Sequence, residues 1–316
     1  MWKSAVTALV AAAVIVPGIA QTDEFDQGMN TMWEVLWHQS GAPTRLVRWD
    51  QEIKVRVHGL NAAAHRKHTL QALNDVAAEA RLKVVDVSDQ PDAAQQANLN
   101  IEIVADDKLP DVQPCETRLS FSTETSLDSV SMKMRNRDAR RCAYHESMHA
   151  MGVRGHPEGK TVLSYFQAKH DGLMPLDKAM LRAWYSPRAR GGMTPFEVLP
   201  ILADELVAIM PDKARAAQSR DRFLARTIEQ MQAFAEGAGD VPSIVKHSGK
   251  SSEAGIRFGR MEMSYFLGVA YLEGVTVRQD PDQGLRWLQR AATLGSRTAQ
   301  ARLGAANATV SGATKS

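Results

Sequence analysis

In the run His145-Glu146-Ser147-Met148-His149, two imidazoles stand four residues apart with a carboxylate between them. On a helix that spacing puts both rings on one face, where they reach a single cation. Glu146 then lies where it can take a proton from a water held at that cation, the chemistry of metal-assisted hydrolysis. Gly152 and His156 follow closely. The glycine lets the chain turn back, and His156 offers a third imidazole. Three protein ligands with a fourth position left open are the pattern of a catalytic zinc; a structural zinc closes its shell and has no use for a carboxylate such as Glu146. The competing reading is an accidental match in an ordinary helix, which would bind zinc no better than a surface histidine pair.

Positioning these groups requires a helix over Arg137 to Met151, closed by Gly152 in a left-handed C-terminal conformation. Ahead of it, Leu46 to His58 alternates through Ile53, Val55 and Val57 and predicts a half-buried strand. His65 to Leu82 carries apolar residues at helical spacing, and Asn100 to Ala105 alternates again. Leu119 to Met134 accommodates one or two edge strands. After the motif, residues 172–185, Thr194 to Met210 and Asp212 to Gly237 read as helices, with a Thr-Pro pair opening the second. The expectation is an α+β fold with a central HExxH helix, followed by an all-helical C-terminal region.

The composition, 44% hydrophobic and 23% charged, suits a chain able to bury a core, and a formal charge of +2 gives no case for a nucleic-acid partner. The basic run from Lys133 to Arg141 reads as a solvated face. Lys3, an apolar stretch over residues 5–16 and small residues Gly18 and Ala20 match a secretory leader cleaved before Gln21. The apolar run is short for a membrane span, so no stable span is expected after processing. An exported, periplasmic or secreted location follows, and the cysteine pair agrees with it: Cys115 and Cys142 allow one bridge. Closing that loop is worth roughly 3 to 4 kcal/mol in the chain-entropy account. The rival role for Cys142 is a thiolate ligand three residues before His145.

The motif region resembles the metzincin superfamily of zinc peptidases, specifically its matrixin-like and astacin-like members, whose pattern is HExxHxxGxxH followed by a methionine turn. His145, Glu146, His149 and Gly152 match. Residue 155 is glycine and His156 comes one place late, with Pro157 behind it. The resemblance implies a zinc site made by His145, His149 and His156, with Glu146 as the catalytic base. Thr161-Val162-Leu163-Ser164-Tyr165 is similar to the family's turn, Leu163 standing for the methionine. Tyr165 matches a tyrosine that reaches the metal or steadies the oxyanion in some members, and is equally well a core aromatic. Leu176, Asp177, Leu181 and Trp184-Tyr185 resemble the closing helix of these domains. His170 and Asp171 are candidates to replace His156, whereas His65 and His68 read as surface residues.

Beyond a glycine and serine segment at residues 237–253 the pattern changes. Leu267-Gly268 recurs as Leu303-Gly304 around Asp280-Pro281 and Trp287-Leu288. The segment resembles a Sel-one-like repeat, a relative of tetratricopeptide units. About one unit is present, which either packs on the preceding helices or offers a small docking face. The expected organisation is a leader at 1–20, a lead-in at 21–45, a zincin-like domain at 46–210, a helix and linker at 211–250 and the repeat region at 251–316. Residues 21–45 are also long enough to cover a cleft, with Trp33, Trp37 and His38 as anchors. Two functional expectations stand. One is a zinc-dependent endopeptidase of the cell envelope, taking protein or peptide substrates along an edge strand near residues 100–105 or after 119. The other is a non-catalytic, metal-stabilised envelope binding or assembly protein, with a partner held through the C-terminal helices.

Overall fold

The computed structural model describes residues 24–38, 41–123, 125–164, 171–247 and 252–313. The leader expected at 1–20 lies outside them, as do Tyr165 and His170.

The chain opens with helix α1 (Glu24–Glu34) and a small two-stranded ribbon, β1 (Trp37–His38) and β2 (Ala42–Pro43). The main sheet begins at β3 (Ile53–Gly59), where Ile53, Val55 and Val57 point into the core and the residues between them face outward. Helix α2 (Ala62–Glu79) follows, then the short strand β4 (Val84–Asp86), the single turn α3 (Ala93–Gln96) and strand β5 (Leu99–Val104). Strands β6 (Cys115–Phe121) and β7 (Leu127–Arg135) complete the sheet. Its order is β4-β3-β5-β7-β6, with β4, β3, β5 and β7 parallel and β6 antiparallel to β7.

Two sequence expectations change here. The strand near residues 100–105 is central, flanked by β3 and β7, and so has no edge to offer. Of the two strands expected at the edge, only β6 is one. Strand β6 lies antiparallel on the outside of β7, while β7 inserts Val130, Met132 and Met134 into the core. These residues alternate with exposed Ser131 and half-buried Lys133, so β7 buries one face over this stretch although it lies inside the sheet.

A 3-10 turn (Asn136–Asp138) leads into α4 (Ala139–Ala150), the helix that carries the HESMH run. It packs against α2 and against β6 and β7. Helices α5 (Pro175–Trp184), α6 (Pro195–Ile209), α7 (Lys213–Glu236), the short α8 (Ser243–His247), α9 (Glu253–Glu273), α10 (Pro281–Thr293) and α11 (Arg297–Ala313) follow. The Thr-Pro start of α6 is realised as a capping box, in which the Glu197 amide donates to Thr194 Oγ1 and the Thr194 amide donates to Glu197 Oε2.

The lead-in is part of the core and not a cover over a cleft. Phe25, Met29 and Met32 of α1 are fully buried, and the helix packs on α5, α6 and α7. Trp33 lies edge-on to Trp37 at 5.9 Å and stacks on Phe196 at 6.2 Å. The C-terminal repeat also packs inward, with α9 against β2, α6 and α7. Arg45 joins the two regions, donating to the Gly192 carbonyl at 2.8 Å and to Tyr265 Oη at 3.0 Å. Among the described residues no helix is long and apolar enough to cross a membrane.

Candidate metal centre

Helix α4 places His145 and His149 one turn apart, and the chain leaves it through Gly152. Gly152 has φ +90°, and a Cβ there would stand 2.3 Å from the Val47 carbonyl oxygen, so only glycine serves. The return loop brings His156 to the helix pair. His149 Nε2 lies 3.1 Å from His145 Nε2 and 3.0 Å from His156 Nε2. These three residues form the one group among the described residues arranged to hold a metal ion. The extra residue before the third histidine is absorbed where the loop leans on the end of α1. The Gly155 amide donates to the Val35 carbonyl at 3.2 Å, and a Cβ on Gly155 would fall 2.6 Å from Val35 Cα.

The far nitrogens orient the two helix imidazoles. His145 Nδ1 lies 2.9 Å from the Val162 carbonyl oxygen, and His149 Nδ1 lies 2.6 Å from that of Val153. A carbonyl oxygen only accepts, so both Nδ1 atoms carry the proton and donate. In a neutral ring so oriented, Nε2 is the nitrogen that can ligate a metal. Burial pulls His145 below its ordinary value, the Val162 bond only partly opposing this. The two Nε2 atoms face each other at 3.1 Å. A cation held there would be ligated by both rings. A tetrahedral zinc at its usual Zn–N length spaces its nitrogens by roughly 3.3 Å, close to the arrangement here. The donor set fits zinc.

The carbonyls that orient the rings are themselves braced. Asp177 on α5 is fully buried and accepts from the amides of Val162 (3.2 Å) and Met174 (2.8 Å) and from the hydroxyl of Thr161. It therefore holds the segment whose Val162 carbonyl fixes His145. Behind α4, Trp49 Nε1 donates to the Ala150 carbonyl at 2.8 Å and Tyr185 Oη to that of Met151 at 3.0 Å. Sequence reasoning placed Asp177 and Tyr185 only within a closing helix; their bracing roles needed the tertiary contacts.

Glu146 is 3% exposed and accepts a 2.5 Å hydrogen bond from Thr117 Oγ1 on β6. Burial pushes its carboxyl up to about 7, opposed by the Thr117 bond and reinforced by the charge of Glu116. Thr117 had no sequence signal, because it lies 29 residues from Glu146 on another element. Cys115 and Cys142 form a disulfide that ties the start of β6 to the first turn of α4. That removes Cys142 from the candidate ligands.

Other candidates lie elsewhere. Asp171 pairs with Arg140 at 2.8 Å, and that ion pair is exposed. His65 bonds Asn136 Oδ1 at 3.0 Å and His68 the Arg140 carbonyl at 3.2 Å, so the pair is half-buried and links α2 to the start of α4 instead of lying free on the surface.

Comparison with known families gives two matches. Residues 19–158 match a family described as protein of unknown function (DUF2927), a span that ends just past His156. Residues 262–296 match the Sel1 repeat, which coincides with the end of α9, all of α10 and the turn after it. No curated protein matches the chain. The chain is thus similar to these families over an α+β N-terminal region bearing a histidine cluster and over an all-helical C-terminal repeat.

Proposed function

We propose that this protein is a zinc-dependent peptidase of the cell envelope. The observation that carries the reading is the convergence of three Nε2 atoms, two of them on rings oriented by Nδ1–H donation to backbone carbonyls, beside a buried carboxylate on the same helix. Held by His145, His149 and His156, zinc would supply Lewis-acid polarisation and an activated water near neutral pH. The chain's own contribution is a proton acceptor and a binding edge. Glu146, held at one oxygen by Thr117, takes the proton of the attacking water and returns it to the leaving amine. Strand β6 runs antiparallel to β7 on one side only, so its other edge can receive an extended peptide as a further strand. Export is supported by the leader pattern at residues 1–20 and by the disulfide.

The second reading is a non-catalytic, metal-stabilised envelope binding or assembly protein. The Sel1 match favours it, since stacked helical repeats present surfaces for protein contacts, and that match bears on this reading more directly than on hydrolysis. Glu146→Gln separates the two. Under the peptidase reading the variant keeps one zinc per chain by elemental mass spectrometry and loses about 10²- to 10⁴-fold in peptide cleavage. Zinc-loaded native protein that cleaves no peptide in a broad library leaves the assembly reading in place.

A further inference from the structure

Arg154 has no part in the chemistry above, yet its place is closely defined. Its backbone is fixed on both sides: the Val153 carbonyl holds His149, and the Gly155 amide is bonded to Val35. Its side chain is half-buried, with the guanidinium carbon 6.0 Å from the ring centroid of Phe121. Among the described residues no hydrogen bond or ion pair is made to the guanidinium, and burial alone draws it below its ordinary value. Arg66 and Arg135, also drawn into the protein, are each met by two aspartates. A guanidinium taken out of water without an acceptor is unfavourable by itself, and Phe121 covers one face of it without supplying one. The donors of its fork remain available to an incoming anion.

Successive contacts between β6 and the α4 segment locate this cation relative to the reacting bond. Cys115 is joined to Cys142, Thr117 reaches Glu146, and Phe121 meets Arg154. Progress along β6 from residue 115 to 121 is therefore progress along α4 past the base and into the return loop. Thr117 and Phe121 are four residues apart, or about 13 Å of extended strand. Phe121 is 42% exposed at the far end of that edge. A peptide lying along β6 with its reacting bond at Glu146 reaches Arg154 on one side only.

We propose that Arg154, backed by Phe121, is a subsite for a peptide carboxylate, so that the centre acts on peptides carrying an acidic group within about four residues of the reacting bond, on one side. The proposal rests on the peptide-binding reading of β6 and names its substrate class. Two sources supply the same chemistry, an Asp or Glu side chain and a free C-terminus, and the test distinguishes them.

The experiment uses full-length, zinc-loaded Glu146→Gln protein and an array of decapeptides randomised at each position, with free or amidated C-termini. Enrichment of Asp and Glu at one position supports side-chain recognition. A requirement for the free terminus supports end recognition. In either case Arg154→Met should weaken binding of the preferred peptides by roughly tenfold to a hundredfold, to the level of their Asn, Gln or amide counterparts. Arg154→Lys keeps the charge and the apolar stem but loses the planar fork, so it should fall between the two. Zinc content of each variant reports whether the loop still folds. Absence of acidic enrichment, or enrichment indifferent to both substitutions, overturns the proposal. Failure of the peptidase reading is visible separately, as native protein that binds the selected peptides and does not cleave them.

Discussion

At the scale of single residues, the centre depends on atoms that orient the imidazoles as much as on the imidazoles. Removing a group that orients a metal ligand typically weakens the metal by 10- to 100-fold. Asp177 is such a group at one remove: it touches no histidine, but it holds Thr161 and Val162, and the Val162 carbonyl aligns His145. Asp177→Ala should therefore weaken zinc by about that factor, measured by competition with a chromophoric chelator. It should also destabilise the fold by about 1–3 kcal/mol through the donors left unsatisfied, measured by urea unfolding of metal-free protein. Zinc affinity unchanged in a folded variant would show that the loop is held by other contacts.

At the scale of elements, the centre sits where a helix meets the edge of a sheet, and two features govern that junction. The disulfide is one. Cys115→Ser with Cys142→Ser should keep stoichiometric zinc, because neither sulfur is a ligand, while losing roughly 2–4 kcal/mol of stability in thermal unfolding. Loss of zinc at the growth temperature with a folded circular dichroism spectrum would return Cys142 to the ligand set. At the opposite edge of the sheet, Asp86 ends β4 and binds Arg66 of α2 at 2.5 Å. Burial draws its carboxyl upward, but the Ser88 hydroxyl and amide, with Arg66, outweigh this and hold it below the ordinary carboxylate value. A carboxyl depressed in the folded state stabilises the fold above its unfolded value, near 3.9, and the contribution is lost as pH falls through the lower folded value. Asp86→Asn should cost up to about 1 kcal/mol at pH 7, given its partial exposure, and little at the acid end. Urea titrations at both pH values check this; an equal loss at both would mean that the charge is not what matters.

At the scale of the whole molecule, one hydrophobic cluster extends from Phe25 in α1 through the sheet and the central helices to Ala299 in α11. Helix α1 lies between the helical layer and the metal loop. Its Thr31 hydroxyl donates to the Glu158 carbonyl at 3.2 Å, and Glu34 Oε2 accepts from the Glu158 amide at 3.3 Å. Deleting residues 21–38 should therefore destroy the centre instead of unmasking it. The expected result is insoluble protein, or soluble protein with zinc well below one per chain. Full zinc loading with raised peptide cleavage would instead restore the role of a removable cover.

The cluster of His145, His149 and His156 and the disulfide pairing were legible in the sequence, because each rests on short spacing or on a count that leaves one choice. The helices of the C-terminal half were equally legible, since Thr194, Asp212, Gly237 and Asp280 are capping residues whose effect is local. The order of the strands was not. Alternation shows that a strand is half-buried but not which strand lies beside it, so β5 passed for an edge and β4 went unseen. Nor could a linear reading join Thr117 to Glu146, Asp177 to Val162, or Arg154 to Phe121. Local chemistry, spacing and caps were determined by the sequence itself, because they act through neighbours along the chain. The orientation of the imidazoles, the burial of Glu146 and the lack of an acceptor for Arg154 among the described residues were decided only by the tertiary structure, because each depends on which distant group the fold brings within about 3 Å or withholds.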